Sequence, residues 1–327
     1  MNSIIRIGTR ESELAVWQAT LVKEMLADKG YSSTLVYIKS EGDIDLKTPL
    51  YEMGVQGIFT RSLDIALLNN RIDIAVHSMK DVPTQLPEGI IQGAVLKRGN
   101  YKDLFVINGN QQSAISNQQG EKYFFESLAM ADIRYLTSEI RPFVATSSIR
   151  RKAQLLHRYP NATIENLRGN VNTRLKKLVE SNWDGAIFAA AGLERINLRP
   201  ENAVELDWML PAPAQGAIMI VCKAGDDDTL TAVAKLNDEA TAICTKIERD
   251  FLRELLGGCS TPISALAQLN KDEIYFNGNI LSIDGKQKVK VERSVRKENI
   301  HGFGKHMAIE LLKNGGQQIA DSIRNAK

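Results

Sequence analysis

The feature that most restricts the fold is an alternation of two periodicities. Over the first two thirds of the chain, short apolar runs of strand length alternate with segments whose apolar residues recur at helical spacing. "IIRIGT" reads as a strand, "ESELAVWQATLVKEMLADKG" as a helix stopped by Gly30, "STLVYIK" as a strand, "FTRSLDIALLNN" as a helix and "IDIAVHS" as a strand. That order is an α/β unit. A second series starts near Lys102 with "DLFVIN" and continues through "FVATSS", the helix "IRRKAQLLHRY", "TIENL", the helix "NVNTRLKKLVES" and "GAIFAAA". "AIMIVCK", arriving after "LPAPAQG", is an apolar strand expected to cross back to the first unit. After the helix "TAICTKIERDFLRELL", residues 262–297 alternate as antiparallel strands do, and a helix closes the chain. The expected fold is therefore two α/β domains, 1–98 plus about 216–236 and 102–212, with a smaller C-terminal α+β domain at 240–327. "NGNQQSAISNQQ" reads as a surface loop.

Composition agrees with this division. A chain of 327 residues, 43% hydrophobic and 24% charged, can fill two or three cores. Cys222, Cys244 and Cys259 form neither a disulfide framework nor a C-x-x-C metal motif, which fits a reducing cytoplasm. "MNSIIRIGTR" contains no apolar leader, and no stretch approaches the roughly 18 apolar residues of a membrane span, so neither secretion nor membrane insertion is expected.

The net charge of +2 is uninformative, but its distribution is not. Between Arg141 and Arg174 lie Arg150, Arg151, Lys152, Arg158 and Arg168, opposed only by Glu165. Such a surplus is either a solvated face or a site for an anion. Placement favours the site. In "GTRES", "ATSSIRR" and "LRGNVNTR" a strand ends, a hydroxyl or amide residue follows beside arginine, and a helix begins. Helix N-termini offer unpaired N–H groups, hydroxyls add donors, and guanidinium forks grip carboxylate or phosphate. Singly, each of these Ser or Asn residues also reads as an ordinary N-cap. No phosphate-loop or dinucleotide motif is present. "HSMKDVPTQLP" follows a strand, so Lys80 and Asp81 emerge where α/β sheets bind ligands, although both also suit a solvated turn before Pro83; His77 reads as structural.

"TRESELAVWQ", "DIAVHSMKDVPT", "ATSSIRRKAQL", "LRGNVNTRL", "AAAGLERI", "LPAPAQGA" and "LLGGCSTPI" stand in the order and at the spacings of the porphobilinogen deaminase (hydroxymethylbilane synthase) family, which this chain resembles from about residue 4 to its end. The resemblance implies a covalent dipyrromethane cofactor on Cys259, in a loop whose paired glycines let the backbone turn tightly. Cys222 and Cys244 instead read as small buried apolar residues. The resemblance further implies that Lys80, Thr146, Ser147, Ser148, Arg150, Arg151, Arg174 and Asn170 hold cofactor carboxylates. Arg10, Ser12, Gln18, Arg168 and Arg195 would meet the incoming substrate or the extending chain. Asp81 would stabilise the azafulvenium left when ammonia departs and relay protons.

The implied reaction joins four porphobilinogen molecules head to tail and releases hydroxymethylbilane, a transferase reaction of tetrapyrrole and heme biosynthesis. It needs no metal, nucleic acid or membrane, and the chain is expected to act as a cytoplasmic monomer whose three domains surround one cleft. Departures from the family pattern occur at Gln56, Ser62, Ala145, Pro213 and Ala214; Phe59 is a candidate for stacking on a ring or for packing in the core. Two other classes compete. Paired α/β domains around an anion cleft also describe periplasmic-type binding proteins, which the expected fold resembles, but these are normally exported and have no use for a pyrrole on Cys259. A nucleic-acid binder would want a continuous basic face with stacking aromatics, whereas Phe143 and Tyr159 are the aromatics of the 141–174 window.

Overall fold

The computed structural model describes residues 4–39, 60–109, 141–255 and 261–325. The first sheet contains β1 (Ile5–Thr9), β2 (Ser33–Tyr37), β3 (Ile74–Ser78) and β4 (Ile90–Val95), completed later in the chain by β10 (Ile218–Lys223), in the order β2-β1-β3-β10-β4. β1 runs parallel to β2 and β3, whereas β10 is antiparallel to both of its neighbours. β3 and β10 are buried almost throughout, as apolar strands covered on both faces must be. Helix α1 (Glu13–Asp28) covers one face with Ala19, Val22 and Leu26, and α2 (Arg61–Leu68) covers the other with Leu63, Ala66 and Leu67. Each fully buried Leu, Ile or Val contributes roughly 1.5–3 kcal/mol.

The second sheet repeats this plan. β5 (Asp103–Ile107), β6 (Phe143–Ala145), β7 (Thr163–Glu165), β8 (Gly185–Ala189) and β9 (Ala203–Glu205) stand in the order β7-β6-β8-β5-β9. β6 is parallel to β7 and β8, and β5 is antiparallel to β8 and β9. In both sheets the antiparallel fourth strand is the one that enters from the other sheet, so the chain passes between them twice, at 96–102 and at 206–217. Helices α3 (Ile149–Arg158) and α4 (Val171–Val179) start from the carboxyl-end side of this sheet, and the short α5 (Ala190–Glu194) follows β8 directly. After β10, α6 (Asp227–Ala234) packs Ala232 and Val233 into the first core.

The third unit is a meander, β11 (Ile263–Asn270), β12 (Glu273–Leu281) and β13 (Lys288–Arg296), backed by α7 (Glu239–Glu254), α8 (Phe303–Leu311) and α9 (Gln317–Asn325). Phe251, Phe276 and Phe303 meet edge to face in its core, with centroids 5.1 and 6.0 Å apart. The single closing helix expected from the sequence is two helices, because Asn314 and Gly315 leave helical geometry, Gly315 with φ +104°. β4, β9, α5 and α6 also go beyond the sequence reading. "IIQGAV" has no strict alternation, and its Gly93 lets Val233 of α6 pack so close that a Cβ would lie 2.6 Å from Val233 Cγ2.

Candidate functional site

The carboxyl ends of β1 and β3 in the first sheet, and of β6 and β8 in the second, border one cavity of about 650 Å³. Its lining residues include eight cations and three acids, so it suits an anion. From the first sheet, Arg10 and Ser12 leave β1 ahead of α1, and Lys80 and Asp81 form the helical turn Met79–Asp81 after β3. That turn is held from outside: buried Arg249 on α7 donates to the carbonyls of Val82 at 2.9 Å and Pro83 at 2.6 Å.

From the second sheet, Ser147, Ser148, Arg150 and Arg151 begin α3, Arg168, Asn170 and Arg174 begin α4, and Arg195 follows α5; all line the cavity. Ser148 caps α3 by accepting from the Arg151 N–H at 3.4 Å, and the Ser147 hydroxyl donates to the Leu167 carbonyl. Asn170 caps α4 by accepting from the N–H and hydroxyl of Thr173, each at 2.9 Å. Arg174 Nε donates to the Gly169 carbonyl at 2.7 Å. Burial, reinforced by Arg151 and Arg168 and opposed by Asp81, pushes its pKa down to about 10. Arg195 reaches across to the first sheet, donating to the Gly216 carbonyl at 2.6 Å and lying over the Trp17 ring, and burial pushes it down to about 10 as well.

Two expected contact residues lie behind the wall. Gln18 is buried and donates to Ser78 Oγ at 2.9 Å; Thr146 is buried and its hydroxyl oxygen accepts from the Ser148 N–H at 3.3 Å. Neither lines the cavity, but each hydrogen-bonds a residue that does, Ser78 and Ser148. His77 is buried on β3, and burial with Arg10 nearby pushes it down to about 3, so it stays neutral and is no acid–base group near pH 7. Cys222 and Cys244 are buried, and burial drives both thiols up to about 11. Cys259, Gln56 and Phe59 lie outside the described residues, but Leu252 and Thr261, which precede and follow Cys259 in the sequence, both line the cavity.

The arginines are not simple surface cations. Arg150 and Arg151 are both buried and both pair with Asp103, the first residue of β5, at 2.7 and 2.8 Å. Gln215 Nε2 also donates to Asp103, at 2.9 Å, while Gln215 Oε1 accepts from Lys80 Nζ at 3.3 Å. Asp103 and Gln215 escape the sequence reading, the first because it looks like the polar edge of an apolar strand. Among the described residues, the Nε–H of Arg150 makes no hydrogen bond, and each Nη of both arginines uses only one of its two hydrogens. Burial, which outweighs the attraction of Asp81 and Asp103, pushes Lys80 down to about 8. Guanidinium forks with spare hydrogens, an ammonium and helix N-termini are a donor set for several carboxylates, which fits a dipyrrole bearing acetate and propionate groups.

Comparison with known proteins gives the same direction. A family model described as porphobilinogen deaminase, dipyromethane cofactor binding domain, matches residues 5–231, and one for the porphobilinogen deaminase C-terminal domain matches residues 242–313. The porphobilinogen deaminase of Syntrophotalea carbinolica is 38% identical, covering 98% of this chain and 96% of the relative. That of Nitratiruptor sp. is 39% identical, covering 96% and 95%. Among solved structures, an ancestral cationic amino acid solute binding protein aligns at 15% identity and a TM-score of 0.40, over 71% of this chain and 87% of its own. Family models spanning both parts of the chain, with relatives matched nearly end to end, make this chain a member of the porphobilinogen deaminase family, transferases with a dipyrromethane cofactor.

Proposed function

We propose that this cavity deaminates porphobilinogen and condenses four such units head to tail onto a dipyrromethane held by Cys259, releasing hydroxymethylbilane. The observation that carries the reading is the convergence of strand ends from both sheets, with their arginines, on a cavity that Leu252 and Thr261, before and after Cys259 in the sequence, also border. When bound, the dipyrromethane supplies the pyrrole carbon from which the chain grows and a fixed end on the protein.

Lys80, Ser147, Ser148, Arg150, Arg151, Asn170 and Arg174 hold its carboxylates, with Thr146 acting through Ser148. Arg10, Ser12, Arg168 and Arg195 receive the incoming ring, with Gln18 acting through Ser78. Asp81 stabilises the positive charge that develops when ammonia leaves and takes up the proton released afterwards. Its position supports this role: it lines the cavity close enough for its charge to oppose the lowering of Lys80 and Arg174.

The domains of this enzyme are 1–98 with about 216–236, 102–212 and 240–327. The sheet composition supports that division, since β10 completes the first sheet. Among the described residues no helix is long and apolar enough to cross a membrane. A cytoplasmic monomer acting without metal or nucleic acid completes the reading. The test is the intact mass of the purified protein. It should exceed the polypeptide by two linked porphobilinogen-derived units, localised to the peptide containing Cys259, and Cys259→Ala should lack them. An unmodified wild-type mass in protein that turns over porphobilinogen would sink the assignment.

A further inference from the structure

Asp103 is a negative charge buried behind two arginines of an anion site, where it opposes the ligand unless it serves another purpose. Its side chain is fully buried. Oδ2 accepts from Arg150 Nη2 at 2.7 Å, and Oδ1 accepts from Arg151 Nη2 at 2.8 Å, Arg151 Nε at 3.1 Å and Gln215 Nε2 at 2.9 Å. The carbonyls of Leu210 and Ile187 take one Nη1 hydrogen from Arg150 and Arg151 at 2.6 and 2.9 Å. Each guanidinium is thus held at two edges and cannot rotate, and the directions of its unused hydrogens are fixed. Without Asp103, two adjacent buried cations would repel each other, with burial already opposing the charge on Arg150.

Gln215 extends the arrangement. It is buried between Ala214 (φ +62°) and Gly216 (φ +86°) in the segment leading from the second sheet to the first. At Gly216 a Cβ would lie 2.8 Å from the Gly99 carbonyl oxygen, so the two crossings touch here. Gln215 Nε2 bonds Asp103 and the Tyr101 carbonyl, while Oε1 accepts from Lys80. One hydrogen-bonded chain therefore runs from the second-sheet arginines to the first-sheet lysine.

The geometry points to Asp103 as a positioning residue for Arg150 and Arg151, with Gln215 carrying that position across to Lys80, so that cations from two sheets present one fixed pattern to the ligand carboxylates. The inference rests on the functional reading above, in which these three cations hold the cofactor. Neither Asp103 nor Gln215 need take part in the chemistry.

The test uses apoprotein made in cells that cannot supply porphobilinogen, then mixed with porphobilinogen and followed by intact mass. Asp103→Asn keeps the shape but removes the charge and one acceptor oxygen; at a temperature well below its own unfolding midpoint it should load cofactor at least about tenfold more slowly than wild type, the effect of losing one charge-assisted hydrogen bond. Gln215→Leu leaves the two arginine–Asp103 ion pairs in place and removes the amide that joins Asp103 and the Tyr101 carbonyl to Lys80. It should also load about tenfold more slowly, and its loading should fail at lower pH than wild type. Lys80 loses an acceptor while still facing Asp81, Asp103, Arg150 and Arg151, so its proton leaves more easily. A purely structural role would not move that pH. Should Asp103→Asn fail to fold, Gln215→Leu decides alone. Wild type that loads while the folded variants load equally fast, with the same pH dependence, overturns the inference but not the functional reading. Wild type that gains no mass overturns both.

Discussion

Arg98 and Glu248 join fork to fork, Nη1 to Oε1 at 2.6 Å and Nη2 to Oε2 at 3.1 Å, with the glutamate side chain fully buried. The same carboxylate accepts the backbone N–H groups of Ala214 at 2.6 Å and Ala267 at 2.7 Å. Arg98 follows the first sheet, Ala214 lies in the crossing from the second, Ala267 is in β11 and Glu248 is on α7, so one buried anion ties all three units together. Glu248→Gln strands the guanidinium and should cost about 3–5 kcal/mol, lowering the thermal midpoint by roughly 10 °C. Replacing both partners by apolar residues should not restore stability, because the two backbone donors remain buried without an acceptor. Thermal unfolding of Glu248→Gln and of the Arg98→Met, Glu248→Leu pair checks this.

That anion also shows where reading the sequence stops. The layout of strand end, hydroxyl and arginine, helix start is local, so Arg10, Ser12, Ser148, Arg150, Arg151 and Asn170 are legible as a set, and they do share one cavity. The strands and helices with clean periodicity are legible for the same reason, as is the return of β10 to the first sheet. Glu248 and Asp103 are not. The partners of Asp103 lie 47 and 48 positions away and that of Glu248 lies 150 away, and no local pattern marks a single acid as the counter-charge of distant arginines. Thr146 and Gln18 show a second limit: both sit beside the site in sequence, yet each is buried and hydrogen-bonds a cavity-lining residue, Ser148 and Ser78, without lining the cavity itself.

Ala214 adopts φ +62° while fully buried, at the joint where Glu248 grips its N–H. A left-handed conformation costs a residue with a Cβ about 1–2 kcal/mol, whereas glycine loses roughly 0.5–1 kcal/mol of unfolded-state entropy instead. Ala214→Gly should therefore raise stability slightly, by about 0.5–1 kcal/mol, measured as a higher denaturant midpoint with unchanged slope. A lower midpoint would show that the alanine methyl contributes more through packing than it costs through strain.

Lys80 should set an alkaline limit on cofactor loading. Burial holds it near 8, below the usual value of 10.5. The sign is fixed by that direction: a lysine whose folded pKa is lowered is charged below about 8, loses its proton first in the folded protein, and is neutral there while still charged in the unfolded chain up to about 10.5. The charged form, which grips a carboxylate, is thus present below pH 8 and lost above it. Loading of apoprotein should fall as pH rises through about 8, and bound carboxylates, which favour the charged form, should extend the range once loading is complete. Lys80→Arg keeps its charge throughout and should remove the decline, even if its longer fork slows loading at pH 7. An unchanged alkaline decline in that variant would assign the limit to another group.

Asp81 separates a chemical role from a turn-forming one. Among the described residues no N–H or hydroxyl donates to its carboxylate, and the turn it closes is already fixed by the Val82 N–H to the Met79 carbonyl at 3.2 Å and by Arg249 gripping the carbonyls beyond. The turn therefore has no need of the carboxylate, and Asp81→Asn should leave the unfolding midpoint nearly unchanged. Activity should behave differently. Asn removes the charge and the basicity, so hydroxymethylbilane formation should fall by roughly the 10²- to 10⁴-fold typical of lost acid–base assistance. Glu retains the chemistry but displaces it by a methylene, and should keep more activity than Asn although it fits less well. A turn-forming role reverses that order, because Asn is also a good turn residue and Glu is not. Steady-state product formation by both variants, with midpoints measured alongside, decides between them: Asp81→Asn within a few fold of wild type would remove Asp81 from the chemistry.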